Sequence, residues 1–192
     1  MDRSTGKYKI VLNSPVVLGF ALICTVAMVV SLLTGGRSNA LLFSVYRSSL
    51  SDPLTYFRFF GHVFGHADWS HLLGNMMLLL ITGPMLEEYY KGRRLVAVIA
   101  VTAFVTGLVH FIFFPNSMLL GASGVVFAFI ILASITGFKN KEIPLTFILV
   151  ALLYLGQQIY EGIAVADNVS QLTHIIGGVT GAVMGWIYAR KG

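Results

Sequence analysis

Apolar residues in this chain come in long runs rather than in alternation. A helix needs about 20 predominantly apolar residues to cross a bilayer. Six runs meet that length, at roughly 15–34, 71–90, 95–114, 119–138, 144–162 and 170–189. The pattern predicts an all-α membrane protein, a six-helix bundle. It forms one membrane domain over 15–192, preceded by a short segment, 1–14. The first run follows Arg3, Lys7 and Lys9, but it is long for a leader and has no obvious small-residue cleavage site, so we expect it to stay as a span.

The connection between the first two runs breaks the pattern. It covers about 36 residues, longer than most loops without structure of their own. Aromatic residues are dense in it, among them Phe43, Tyr46, Tyr56, Phe57, Phe59, Phe60, Phe64 and Trp69, with Arg37, Arg47 and Arg58 between them. Aromatic rings near arginines suit the membrane–water interface. The expectation is a folded, interfacial loop against the outer half of the bundle.

Composition strengthens the membrane reading. Of 192 residues, 56% are hydrophobic and 11% charged, with mean hydropathy +0.81. Soluble domains carry about 25% charged residues. The net charge of +5 therefore points to topology rather than to nucleic acid. Ten of the thirteen Lys and Arg fall before run 1, between runs 2 and 3, between runs 4 and 5, and after run 6. That bias puts both termini in the cytoplasm. The single cysteine, Cys24, lies in the first run and can form no intrachain disulfide. Ligand spacings for a metal are absent from the sequence, and no cofactor is expected.

Polar residues inside the runs are the candidate chemistry, because ionisable groups in hydrocarbon are costly and tend to mark function. Ser123 sits in Gly121-Ala122-Ser123-Gly124, expected about six residues into its helix, or roughly 9 Å deep. His174 is expected at a similar depth in the last run. His71 and Asn75, four apart, share one helix face near the outer end of the second. Ser123 can be a nucleophile and His174 its base. No acid lies within a turn of His174, so the pair would be a dyad. His71, Asn75 and the Ser123 backbone N–H can hold an oxyanion. Gly121 and Gly124 remove bulk around the serine, and Gly177 and Gly181 form a small-residue stripe that lets helices approach. Each feature alone is more often plain helix packing. A small transporter, with Gln157, Gln158 and His110 as pathway groups, is the competing class.

In combination and order these residues resemble the rhomboid intramembrane serine proteases, over roughly 56–186. Gly121-Ala122-Ser123-Gly124 resembles the family's nucleophile motif. His174 with Gly177 and Gly181 resembles its last-span motif, and His71 with Asn75 its oxyanion element. Gly83-Pro84-Met85-Leu86-Glu87 resembles the bracing end of the second span, with Glu87 favoured over Glu88 by spacing from Asn75. Arg58, His62 and His66 resemble the loop segment before it. The chain departs from the family at Phe57, where Trp is usual, at Thr173, where Ala is frequent, and at Phe127, where Tyr often stacks on the base.

The resemblance implies a bacterial-type serine endopeptidase of the minimal six-span form, in the inner or plasma membrane, cutting transmembrane substrate proteins within or beside their spans. His62 and His66 would help to hold water in a cavity open to the outside. Tyr160 and the aromatic loop would be gate elements. A catalytically silent relative that only binds membrane proteins is the second reading.

Overall fold

A computed structural model of the chain describes residues 10–136 and 168–190, together with the helical positions Leu145, Ile148, Leu149, Leu152, Leu153 and Gly156 between them. The helices are α1 (Pro15–Leu33), α2 (Arg37–Leu41), α3 (Pro53–Gly61), α4 (Trp69–Phe113), α5 (Ser123–Ile135) and α6 (Asn168–Ala189). A 3-10 turn, His62–Phe64, joins α3 to the approach of α4. Three of these helices, α1, α4 and α6, are long and apolar enough to cross a membrane. Lys139, Lys141, Gln157, Gln158 and Tyr160 lie outside the described residues.

α4 is 45 residues long, which as a straight rod would span roughly 67 Å. Instead it folds back at Lys91, whose backbone is non-helical (φ 67°, ψ 153°). Both of its ends reach the same turn. The His71 ring lies 5.0 Å from that of His66, and the Thr106 hydroxyl lies 3.4 Å from His62 Nε2. Runs 2 and 3 of the sequence are thus two arms joined at a single residue, tighter than the basic loop expected over 91–94.

α1 docks on the first arm through a cap that comes from another helix. Pro15 opens α1 without an N–H, and the next two N–H groups have no intrahelical acceptor. The Glu87 carboxylate takes both, Oε1 from Val16 N and Oε2 from Val17 N, each at 3.0 Å. A carboxylate at a helix N-terminus also opposes the helix dipole. Glu87 is buried, whereas Glu88 is exposed. Gly83 supplies the clearance, since a methyl there would fall 2.7 Å from Val17 Cγ2.

The loop between α1 and α4 is folded, as its length predicted. Asp52 caps α3 by accepting from Leu54 N at 3.0 Å, and Pro53 fills the first helical position. Arg58 is 3% exposed. It pairs with Asp52 at 3.2 Å, donates to the Leu41 carbonyl at 2.8 Å and covers the Tyr46 ring at 4.7 Å. Gly107 lets this loop sit on the second arm, since a methyl there would meet the Phe59 carbonyl oxygen at 2.9 Å.

α5 and α6 make the tightest contact. Lipid tails are as apolar as side chains, so helices in a bilayer associate through close packing. A methyl on Gly177 would fall on the Gly124 backbone, and one on Gly181 on that of Ala128. Gly185 continues the stripe against Leu132 and Ile135 at 3.1 and 3.3 Å.

Candidate active site

α5 begins later than its apolar run predicts. Ser123 is its first residue, not one six residues inside. Irregular chain, residues 114–122, precedes it. Non-helical backbone at membrane depth is tolerated only where protein satisfies its polar groups, and here the loop before α4 does so. Leu119 and Val45 exchange two backbone bonds of 2.9 Å. Gly121 N donates to the His62 carbonyl at 2.9 Å, and Ala122 N donates to His66 Nε2 at 3.4 Å.

Those bonds define what the two loop histidines do. His66 Nδ1 donates to the Phe64 carbonyl at 3.2 Å, leaving Nε2 as the acceptor for Ala122. Burial, helped by His71 nearby, holds its pKa down to about 4. His62 Nε2 donates to the Ala103 carbonyl at 3.0 Å, and burial likewise holds its pKa down to about 4. Neither histidine lines the cleft beside Ser123. His110, left open by the sequence, donates from Nε2 to the Ser117 carbonyl at 3.1 Å and so fixes the turn after α4.

The cleft itself has a volume of about 330 Å³. His71, Asn75, Ser123, Phe127, Thr173 and His174 all line it. Three helices contribute: the first arm of α4, the start of α5 and α6. Asp68 caps α4, accepting from His71 N at 2.8 Å and Ser70 Oγ at 2.6 Å, and these bonds hold its carboxyl below the usual range. The cap fixes the turn from which His71 and Asn75 project.

Each wall has a specific reason to be where it is. Gly121 has φ +132°, a region that side chains rarely adopt. A methyl there would also lie 2.8 Å from His71 Nε2, so the imidazole rests against this backbone. Gly124 lies under Thr106 and Thr173, where a methyl would meet their Cγ2 atoms at 3.3 and 3.5 Å. The Phe127 ring sits 4.4 Å from that of His174 at 45°. Phenyl therefore holds the stacking position without a hydroxyl. Asn75 is buried, and its Nδ2 has no partner among the described residues. A buried amide left unsatisfied is uncommon and calls for an explanation.

The sequence features of the Rhomboid domain family match residues 53–191. The chain belongs to the rhomboid family. It is 34% identical over 139 residues to Rhomboid-related protein 1 of Caenorhabditis elegans, covering 68% of this chain and 39% of that protein. To Rhomboid-related protein 2 of Mus musculus it is 31% identical over 158 residues, covering 71% of this chain and 52% of that one. A plant relative, Rhomboid-like protein 11, chloroplastic, of Arabidopsis thaliana, is 26% identical over 156 residues, 70% of this chain and 53% of its own. The rhomboid chain thus spans about half the length, or less, of these curated relatives.

Within this rhomboid, sequence reasoning missed Ser70, Thr173 and Gly185 as structural parts. Gly185 was readable, because it extends the four-residue spacing of Gly177 and Gly181. Thr173 was visible only as a departure from the family pattern. Among the described residues no three His, Cys, Asp or Glu side chains gather as metal ligands would.

Proposed function

We propose that this rhomboid is a six-span intramembrane serine endopeptidase that cleaves transmembrane proteins within or beside their spans, by a Ser123–His174 dyad. The observation that carries the reading is the shared cleft. Nucleophile, base and two potential oxyanion donors line one space, and one donor, the Asn75 amide, is buried there without a partner among the described residues.

In this mechanism Ser123 Oγ attacks the scissile carbonyl carbon as His174 takes its proton. The carbonyl oxygen, now an oxyanion, accepts from Asn75 Nδ2, a His71 N–H and the Ser123 backbone N–H. Ser123 is the first residue of α5, so that N–H has no intrahelical acceptor. Collapse expels the amine, protonated by His174, and leaves an acyl-enzyme. Water then attacks the ester, with His174 again acting as base. Phe127 packs against the imidazole, and the glycine stripe keeps α6 within reach of α5.

A helical peptide bond is shielded by its own hydrogen bonds, so substrates with Gly or Pro near the cut should be preferred. The charge bias supports cytoplasmic termini and an active site opening to the other side, in a plasma or bacterial inner membrane. Consistent with it, the start of α1, the Lys91 turn and the end of α6 gather at one end. Glu87 holds Val16 there, and the Tyr188 hydroxyl donates to the Arg94 carbonyl at 3.2 Å.

An activated fluorophosphonate tests the proposal. It should label Ser123 in the wild type, and labelling should vanish in Ser123→Ala and His174→Ala. Absence of labelling in a folded wild type would instead favour the silent, membrane-protein-binding relative.

A further inference from the structure

A second concavity lies apart from the cleft, between α3 and the end of the second arm of α4. It has a volume of about 450 Å³ and is lined by apolar and aromatic residues, among them Tyr56, Phe59, Phe60, Phe104, Phe111 and Ile112. Tyr56 adds no unsatisfied polar group, since its hydroxyl donates to the Leu50 carbonyl at 3.0 Å. The groove shares no lining residue with the Ser123 cleft. A packed layer of Val45, Phe59, Phe111 and Leu119 separates the two, so nothing held in the groove faces the nucleophile.

The groove has a charged neighbour. Arg47 donates from Nη2 to the Ile112 carbonyl at 3.2 Å, and its guanidinium lies 5.1 Å over the Phe111 ring. Both residues belong to the groove wall. Arg47 also lines a neighbouring recess, where Tyr46, Asn116 and Ser117 stand among the apolar Ala40, Pro115 and Met118. That recess is held by fixed backbone. The Val45–Leu119 bridge flanks it on one side, and His110 pins Ser117 on the other. An apolar slot thus leads to a guanidinium beside amide and hydroxyl donors.

We infer that this pair of concavities is a phospholipid site, with one acyl chain in the aromatic groove and an anionic headgroup phosphate at Arg47. Charge complementarity selects the occupant. Guanidinium matches phosphate geometry through paired N–H groups, and only an amphiphile places a phosphate next to a hydrocarbon chain. Size agrees, because the groove's volume of about 450 Å³ is on the order of fifteen water volumes at roughly 30 Å³ each, room for part of an acyl chain.

The test uses the full chain in nanodiscs of phosphatidylcholine doped with phosphatidylglycerol that carries a photoreactive acyl chain. Crosslinks should map to α3 and to residues 104–112. Arg47→Gln should lower the phosphatidylglycerol yield about fivefold, the size of one basic side chain's attraction for an anionic lipid. It should leave the yield from a photoreactive diacylglycerol, which has the chains but no phosphate, nearly unchanged. Leu108→Trp, which fills the groove, should lower both, with thermal unfolding checked for each variant. Crosslinks spread evenly around the bundle, or yields unchanged in both variants, would overturn the site. So would a photoreactive residue at Phe60 that captures a second copy or a substrate span in place of lipid.

Discussion

Gly177 in α6 lies directly against the backbone of Gly124 in α5: a methyl on the first would fall on the carbonyl oxygen of the second and 2.9 Å from its Cα. Gly124 is the residue after Ser123, and Gly177 is three residues after His174. This close backbone approach of the two helices therefore lies within one turn of the proposed dyad.

This contact predicts that Gly177→Ala will separate α5 from α6. Overpacking against backbone costs about 1–3 kcal/mol, because backbone cannot rotate away as a side chain can. Thermal unfolding in detergent should show that loss for Gly177→Ala and Gly181→Ala, and fluorophosphonate labelling of Ser123 should fall with it. Gly19→Ala in α1 is the control, since nothing lies within 4 Å of a methyl there and it does not line the cleft. An equal loss at Gly19 would argue against the close-approach account.

Asn75 links stability and activity with opposite signs. Its buried Nδ2 makes no bond among the described residues, so removing the donor should not weaken the fold. We expect Asn75→Leu to unfold at the same temperature as the wild type or higher. Its turnover of a transmembrane substrate should fall by about 10²–10³, the usual loss for one oxyanion donor, with KM little changed. A change confined to KM would place Asn75 in substrate binding instead.

The cap on α1 should be separable into charge and geometry. Glu87→Ala strands the Val16 and Val17 N–H groups and should cost several kcal/mol, at about 1.5–3 for each bond to a charged acceptor. Glu87→Gln keeps one acceptor oxygen and should lose about half as much. Denaturant titration of both variants measures the split, and equal losses would show that the carboxylate's charge carries the whole effect.

Acid should loosen the nucleophile loop. His62 and His66 are held near 4 in the fold, below the ordinary value of 6.5, so the folded state binds fewer protons than the unfolded one between those values. Their contribution is fully present above about pH 6.5 and is lost as pH falls towards 4. Protonation of His66 would also turn its acceptor against the Ala122 N–H. The unfolding temperature should drop over that window. His66→Gln, which keeps an acceptor but cannot titrate, should flatten part of the drop. An unchanged slope in that variant would mean that other groups carry the acid sensitivity.

Much of this was legible from particular residues. Long apolar runs identify a membrane protein because hydrocarbon excludes unpaired polar backbone. The spacing of Gly177 and Gly181 indicated a close helix contact, since a repeat of four keeps small residues on one face. His71, Asn75, Ser123 and His174 stood out because polar groups in such runs are costly. Phe127 was placed beside His174 by the family resemblance, and the rings do meet.

Other features follow from contacts that no local pattern encodes. Apolar composition over 119–138 suggested one helix, yet Ser123 starts α5, because residues 119–122 bond to Val45, His62 and His66 instead of to the next turn. His62 and His66 looked like water-holding groups; the fold commits both ring nitrogens of His66 and Nε2 of His62 to backbone groups, and leaves His62 Nδ1 buried without a partner among the described residues. Sequence by itself determined the solvent this rhomboid lives in, its helical faces and the polar side chains set in its apolar runs, all of which depend on residue type and short-range spacing. Tertiary structure decided that the serine opens a helix, that Glu87 caps α1, and that four polar side chains line one cleft, because those depend on which distant segments satisfy one another's hydrogen bonds.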